Sequence, residues 1–332
     1  MFRSWPRRCF TWLIPFVLLL AGLALALIPP RSGGEPLGIH LRSEVLIQAE
    51  ELRDLIAQHD PHLRIIDFRH QAKYYLGHIP GALQLWRPEI ENRRPPLLGL
   101  PAPSLPASPG KIEKLLGRLG VGSNDNIIIY SDQCDQAHLW WILARYGFPL
   151  QQMRILDGGF EMWKAQGYPT QLTAPHFRPT TFRFPAATPK NFLVANLEEV
   201  KAAQGAPDKI IIDVRPPRLF LGEGTKEGAA RPGRIPGAVG IFWEENRVAA
   251  GPRKGCWKSA AELREIYRAH GITPEKDLYI YGNTDLAASY TLVSLYLAGY
   301  PLEKLHVYGG GWIEWSRSKE AALTGPPGKR RF

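Results

Sequence analysis

The chain contains little cysteine, which limits both its cross-linking and its metal chemistry. Three cysteines in 332 residues are too few for a disulfide framework. The spacing of cysteine, histidine, aspartate and glutamate matches no metal-binding pattern, so we predict no metal site and no cofactor. Glycine runs are not followed by Gly-Lys-Ser/Thr, which argues against a phosphate-binding loop. No basic run alternates with aromatic residues, and we expect no nucleic-acid partner although the net charge is +10.

The first thirty residues contain no acidic side chain. Arg3, Arg7 and Arg8 precede an apolar run from Trp12 to Ile28. This run approaches the ~20 residues that a membrane-spanning helix needs, and its positive flank favours a cytoplasmic N-terminus. The sequence therefore predicts that residues 1–30 form a hydrophobic helix, either a signal peptide or a membrane anchor. We expect an exported protein, periplasmic or held in the cytoplasmic membrane by this segment with its domains outside.

A repeat is the most informative feature of the remaining sequence. Four motifs occur once in each half of the chain and in the same order. The pairs are Ile65–Arg69 with Ile211–Arg215, Gly77–Ala82 with Gly233–Ala238, Ile128–Tyr130 with Tyr279–Tyr281, and Asp157–Trp163 with Gly309–Trp315. Matched motifs in one order indicate a duplicated domain.

Short apolar segments alternate with amphipathic ones in both halves of the chain. This alternation predicts an α/β fold in which each domain has a parallel sheet with helices on both faces. We place domain 1 at residues 41–175, a proline-rich linker at 176–190 and domain 2 at 191–325. Ligands of such sheets bind at the carboxyl ends of the strands, where loops lead into helices.

The loop from Ser131 to Gln136 is the main candidate for chemistry. It follows a strand that ends at Tyr130 and precedes a helix, so backbone amides at the helix start would stabilise an anion. A thiol in that position ionises more easily, which makes Cys134 a candidate nucleophile. The neighbouring carboxylates of Asp132 and Asp135 oppose this effect. An inert, buried cysteine is the alternative.

The repeated motifs resemble those of the tandem rhodaneses, which are thiosulfate and 3-mercaptopyruvate sulfurtransferases. The resemblance rests on Asp-x-Arg, Gly-His-Ile-Pro-Gly-Ala, the strand–loop–helix unit and Asp-Gly-Gly-x-x-x-Trp, and covers about residues 45–318. It implies a cysteine at the start of the six-residue loop, usually in domain 2. That cysteine takes up sulfane sulfur as a persulfide. The implied partners are a small anionic sulfur donor and a thiol or cyanide acceptor.

Both loops depart from the pattern that the resemblance implies. Gly282 stands at the cysteine position of domain 2 and offers no nucleophile. Leu219 stands where the family tends to have a substrate-holding arginine, so we predict that domain 2 is non-catalytic. In domain 1 the first loop position is Ser131, and Lys73 supplies a cation at the arginine position.

Two functions remain open at this point. The first is sulfur transfer through a persulfide on Cys134 in domain 1. The second is a catalytically inactive rhodanese-like protein that binds an anion or a partner protein at the membrane. The predicted substrate-binding residues are Lys73, Ser131, Asp132, Gln133, Asp135 and Gln136. A structural role, as buried ion pairs that join strand to helix, is expected for Asp67 with Arg69 and for Asp213 with Arg215.

Overall fold

The computed structural model describes residues 44–92, 105–185 and 189–325. The predicted hydrophobic helix in residues 1–30 lies outside these ranges. Within them, no helix has the length and apolar character needed to cross a membrane.

The first sheet contains five parallel strands in the order β1-β7-β6-β2-β3, and β4 pairs with β5 as a separate antiparallel ribbon. The strands are β1 Leu46–Ile47, β2 Leu63–Asp67, β3 Ala82–Gln84, β4 Glu91–Asn92, β5 Leu105–Pro106, β6 Asn126–Tyr130 and β7 Met153–Leu156. The helices are α1 Ala49–Ala57, α2 Gln71–Tyr75, α3 Pro109–Arg118, α4 Asp135–Arg145 and α5 Gly159–Ala165.

Alternate side chains of this sheet enter two separate apolar clusters. In β6, Ile127 and Ile129 belong to one cluster, whereas Ile128 and Tyr130 belong to the other. Because successive residues of a strand point to opposite faces, both faces of the sheet are covered. That is why the strands are almost continuously apolar in sequence.

The second sheet has the same strand order as the first sheet. Its order is β8-β12-β11-β9-β10, and all neighbours are parallel. The strands are β8 Val194–Ala195, β9 Lys209–Asp213, β10 Val239–Gly240, β11 Asp277–Tyr281 and β12 Leu305–Tyr308. The helices are α6 Leu197–Ala203, α7 Pro217–Phe220, α8 Ala260–Ala269, α9 Asp285–Leu297 and α10 Gly311–Arg317. The predicted pair of α/β domains with parallel sheets is confirmed.

The two domains share one apolar core, which lies around helices α4 and α9. Across this interface the Trp257 amide donates a 2.8 Å hydrogen bond to Oδ1 of Asp157. His138 on α4 lies 3.3 Å from the carboxylate of Asp285 on α9, and both side chains are buried. The interface therefore joins the starts of the two helices that follow the candidate loops.

Part of the predicted linker, residues 176–190, packs against domain 1. Phe182 is fully buried in the shared core, and the Thr180 amide donates a 2.9 Å hydrogen bond to the carbonyl of Gly117. The Phe184 amide donates to Glu113. This part of the segment therefore packs against domain 1.

A buried ion pair joins the repeated motifs of domain 1. The Arg69 guanidinium donates to Asp67 at 2.5 Å and to the carbonyl of Gly77 at 2.8 Å. The Tyr130 hydroxyl donates to Asp67 at 2.6 Å and accepts the Ile79 amide at 3.1 Å. Burial raises the pKa of Tyr130, so its hydroxyl remains a donor. Three sequence motifs are thus held together by one carboxylate.

Domain 2 contains the same arrangement. Arg215 donates to Asp213 at 2.5 Å and to the Gly233 carbonyl at 2.8 Å. Tyr281 donates to Asp213 at 2.6 Å and accepts the Ile235 amide at 3.1 Å. Both pairs have the strand-to-helix position and the burial that a structural role requires.

Replacing Tyr281 with phenylalanine should destabilise the protein without changing its fold. The substitution leaves the Asp213 carboxylate and the Ile235 amide each short of a buried partner, which costs about 1–3 kcal/mol. Urea unfolding should report this loss as a lower midpoint. Tyr75→Phe is the matched control, because its ring is 57% exposed and its substitution should fall within about 0.5 kcal/mol of wild type. Equal stability of the two variants would contradict the proposed importance of the network.

Candidate functional site

A cavity of about 330 Å³ opens at the carboxyl end of the domain 1 sheet. It lies where the β2–α2 loop, the turn after β3 and the β6–α4 loop meet, and one residue of domain 2 closes its wall. Its volume is within the usual range for small-molecule sites. The lining residues are Phe68, Arg69, His70, Lys73, Trp86, Arg87, Ser131, Asp132, Gln133, Asp135 and Leu286.

Most, but not all, of the predicted site residues line this cavity. Lys73, Ser131, Asp132, Gln133 and Asp135 do so. The lining does not include the two remaining predicted residues, Cys134 and Gln136, and both are buried.

Cys134 is the N-cap residue of α4, and its side chain belongs to the apolar core. Its residue exposure is 5%. Burial, reinforced by the charge of Asp135, raises the pKa of the Cys134 thiol to about 12, although Arg87 and Arg247 act in the opposite direction. At neutral pH the thiol is therefore protonated, and protonated thiols are poor nucleophiles.

Two ion pairs cross the cavity. The Lys73 ammonium group contacts the carboxylate of Asp132. The Arg87 guanidinium lies 3.8 Å from Asp135 and 3.3 Å from Glu91. Burial raises the pKa of Asp135, and the charge of Arg87 opposes that effect. The cavity thus presents cationic and anionic groups side by side.

Equivalent positions in the two loops can be identified from a backbone contact that both domains make. In domain 1 the Ser131 carbonyl accepts the Phe160 amide at 3.1 Å, and in domain 2 the Gly282 carbonyl accepts the Trp312 amide at 2.8 Å. Gly159, which lies at φ +60°, could not carry a Cβ because that atom would be 2.0 Å from the Ser131 oxygen. Ser131 and Gly282 therefore occupy the same position in the two domains.

The domain 2 loop cannot accept a side chain at this position without moving. A Cβ on Gly282 would lie 2.9 Å from the carbonyl oxygen of Thr284. A carbonyl oxygen repels a thiolate, whereas amide hydrogens would stabilise one. The loop in domain 2 thus has no nucleophile at Gly282, and a carbonyl oxygen lies where a side chain at this position would begin.

Sequence reasoning missed several lining residues on other loops, among them His70, Trp86 and Arg87. His70 caps α2, accepting the Ala72 amide on Nδ1 at 3.1 Å, and its ring meets the Trp86 ring edge-on at 4.8 Å. Arg87 begins the turn after β3. Their sequence signal was their position just after the ends of β2 and β3, because those ends meet at the ligand-binding edge of a parallel sheet.

Metal-ligating clusters are not found in the part of the chain that the structure describes: no group of three or more histidine, cysteine, aspartate or glutamate side chains is placed to hold an ion there.

Comparisons with known proteins agree with the fold. A model of the rhodanese-like domain matches residues 48–166 and 196–318. The chain is 30% identical to the sulfur carrier protein TtuD of Thermus thermophilus, over 82% of this chain and 93% of that protein. It is 32% identical to a putative thiosulfate sulfurtransferase of Synechococcus elongatus, over 80% of this chain and 81% of the relative.

A solved structure provides a further comparison. The 3-mercaptopyruvate sulfurtransferase SseA of Escherichia coli superposes with a TM-score of 0.67 at 24% identity, and the match covers 80% of this chain and 98% of that one. At this identity the likeness concerns the fold. Together with the two family-model matches, these similarities show that the chain belongs to the rhodanese family and carries two rhodanese-like domains in tandem.

Proposed function

We propose that this protein binds a small charged sulfur compound in the domain 1 cavity and does not transfer sulfur itself. One observation carries the proposal: the cavity contains Ser131 at the position where the family has its cysteine, while the thiol of Cys134 lies in the core.

Ser131 is a poor replacement for a catalytic cysteine. Its hydroxyl oxygen lies 3.4 Å from the Asp132 carboxylate, which is a weak base, and a serine hydroxyl needs a strong neighbouring base to attack. Sulfur transfer also requires a polarizable atom that can carry the sulfur as a persulfide. An alkoxide does not meet that requirement.

The ligand class follows from the relatives and from the charges of the cavity. Proteins similar to this one are named for thiosulfate sulfur transfer and for sulfur carriage. A cavity with Lys73, Arg87 and two carboxylates suits an ionic compound of small size. We therefore assign the cavity to a sulfur compound that is bound and released unchanged.

A second candidate function is persulfide transfer on Cys134. Two features favour it: Cys134 is the N-cap of an eleven-residue helix, and Arg87 and Arg247 stabilise its thiolate. This function would require the β6–α4 loop to turn the thiol out of the core and into the cavity.

The two candidates are separated by comparing wild type with Cys134→Ala. We expect neither protein to form thiocyanate from thiosulfate and cyanide, because the thiol is buried and protonated. In calorimetric titrations with thiosulfate, 3-mercaptopropionate and L-cysteine, both should bind the same compound with the same affinity. Arg87→Ala should weaken that binding, because its guanidinium lines the cavity.

Persulfide formation would contradict this proposal. The test is mass spectrometry of the peptide that contains Cys134 after incubation with thiosulfate. An added sulfur atom that cyanide removes, together with thiocyanate formation lost in Cys134→Ala, would establish Cys134 as the sulfur-carrying residue instead.

We also propose that domain 2 is non-catalytic, and that restoring its cysteine would not restore activity. Gly282→Cys should form no thiocyanate, because the Thr284 carbonyl occupies the space that the new side chain needs. The strain of inserting a side chain should lower the free energy of unfolding by about 1–3 kcal/mol. Gly282→Ala carries the same Cβ without a thiol, and its free energy of unfolding should fall by a similar amount. Thiocyanate formation by Gly282→Cys alone would show that the loop adapts.

We propose, from residues 1–30 alone, that the protein is exported. A C-terminal alkaline phosphatase fusion, which is active only in an oxidising compartment, should be active on the full chain in a bacterial host. The same fusion without residues 1–30 should be inactive. Equal activity of the two fusions would refute export, and the size of the exported product would distinguish a cleaved signal from an anchor.

A further inference from the structure

The charges that line the domain 1 cavity are balanced. Arg69 is already neutralised by its buried pair with Asp67. The remaining charged side chains of the lining are two cations, Lys73 and Arg87, and two carboxylates. A thiosulfate dianion in this cavity would gain two attractions and meet two repulsions.

The two cations have uncharged counterparts in domain 2. Lys73 corresponds to Leu219, because each stands at the same distance in sequence from the buried aspartate of its domain, Asp67 or Asp213. Arg87 begins the turn after β3, and Trp243 begins the equivalent turn after β10.

The two carboxylates have uncharged counterparts as well. Counted from Ser131 and Gly282, Asp132 corresponds to Asn283 and Asp135 corresponds to Leu286. All four charges are therefore present together in one domain and absent together from the other. The paired charges at these positions are thus specific to the loops of domain 1.

We propose that the cavity binds a small zwitterion of the α-amino-acid class, whose carboxylate lies against Lys73 and Arg87 and whose ammonium group lies against Asp132 and Asp135. This inference rests on the proposed function and names the ligand class of the same site. A zwitterion can exchange each existing ion pair for one with the ligand, so the partly buried carboxylates of Asp132 and Asp135 keep a partner.

The rest of the wall suits a short side chain. Trp86 and Phe68 supply aromatic surface, and Leu286 reaches in from domain 2. An ammonium group can also lie against the face of an aromatic ring, which adds attraction for the cationic end of the ligand. In the protein without ligand, the pairs Lys73–Asp132 and Arg87–Asp135 hold the cationic and anionic side chains in place.

Three compounds that differ in one group test this assignment. L-Cysteine has both charges, 3-mercaptopropionate lacks the ammonium group, and cysteamine lacks the carboxylate. In calorimetric titrations of the full chain under reducing conditions, L-cysteine should bind at least about tenfold more tightly than either, because each lost contact is a charged hydrogen bond. Equal or tighter binding of 3-mercaptopropionate or thiosulfate would overturn the zwitterion but leave the proposed binding function intact.

Two variants connect the preference to particular side chains, and each introduces the residue that domain 2 uses. Asp132→Asn should remove the preference for L-cysteine over 3-mercaptopropionate. Lys73→Leu should remove the preference for L-cysteine over cysteamine. Lys201→Leu, which breaks two ion pairs on the surface of domain 2, is the control and should change neither ratio. Unchanged ratios in the first two variants would overturn the assignment, and binding of no compound by wild type would refute the proposed function itself.

Discussion

The buried carboxylate of Asp67, and its counterpart Asp213, is the constraint on which the rest of each domain depends. A carboxylate cannot remain charged in an apolar core unless donors surround it. Arg69 and Tyr130 are those donors in domain 1, and each also binds the backbone of the Gly-His-Ile-Pro-Gly-Ala segment. The carboxyl ends of β2 and β6 are therefore fixed relative to each other, and the cavity lies at those ends.

This constraint explains how much the sequence could predict. The predicted end of a strand at Tyr130 is confirmed, because a strand buried on both faces is a short apolar run with sharp ends. The loop after β6 followed from the same reasoning. Ser131 and Asp132 were recognised as site residues because this loop joins a strand to a helix, and Lys73 of α2 was recognised from the position that the family resemblance implies.

Side-chain direction within the loop could not be predicted from spacing. Helix α4 begins at Asp135, inside the predicted loop that ends at Gln136, so Cys134 becomes the N-cap with φ −103° and ψ −7°. That backbone geometry is helical rather than extended, and the thiol enters the core. Arg87 was missed for a different reason, since it reaches the cavity from a turn that carries no repeated motif in the sequence.

The loop of domain 2 has acquired a different role from that of its counterpart. Asp285 stands at the position of Cys134 and pairs with His138 of domain 1. Burial disfavours the imidazolium, but the charge of Asp285, its hydrogen bond and the charge of Glu91 together raise the pKa of His138. The next residue, Leu286, forms part of the domain 1 cavity wall. A loop without a nucleophile thus still shapes the site, because it supplies the countercharge to His138 and an apolar part of the cavity wall. Contacts across the interface therefore give the domain 2 loop a structural part in the domain 1 cavity, although Gly282 offers no nucleophile.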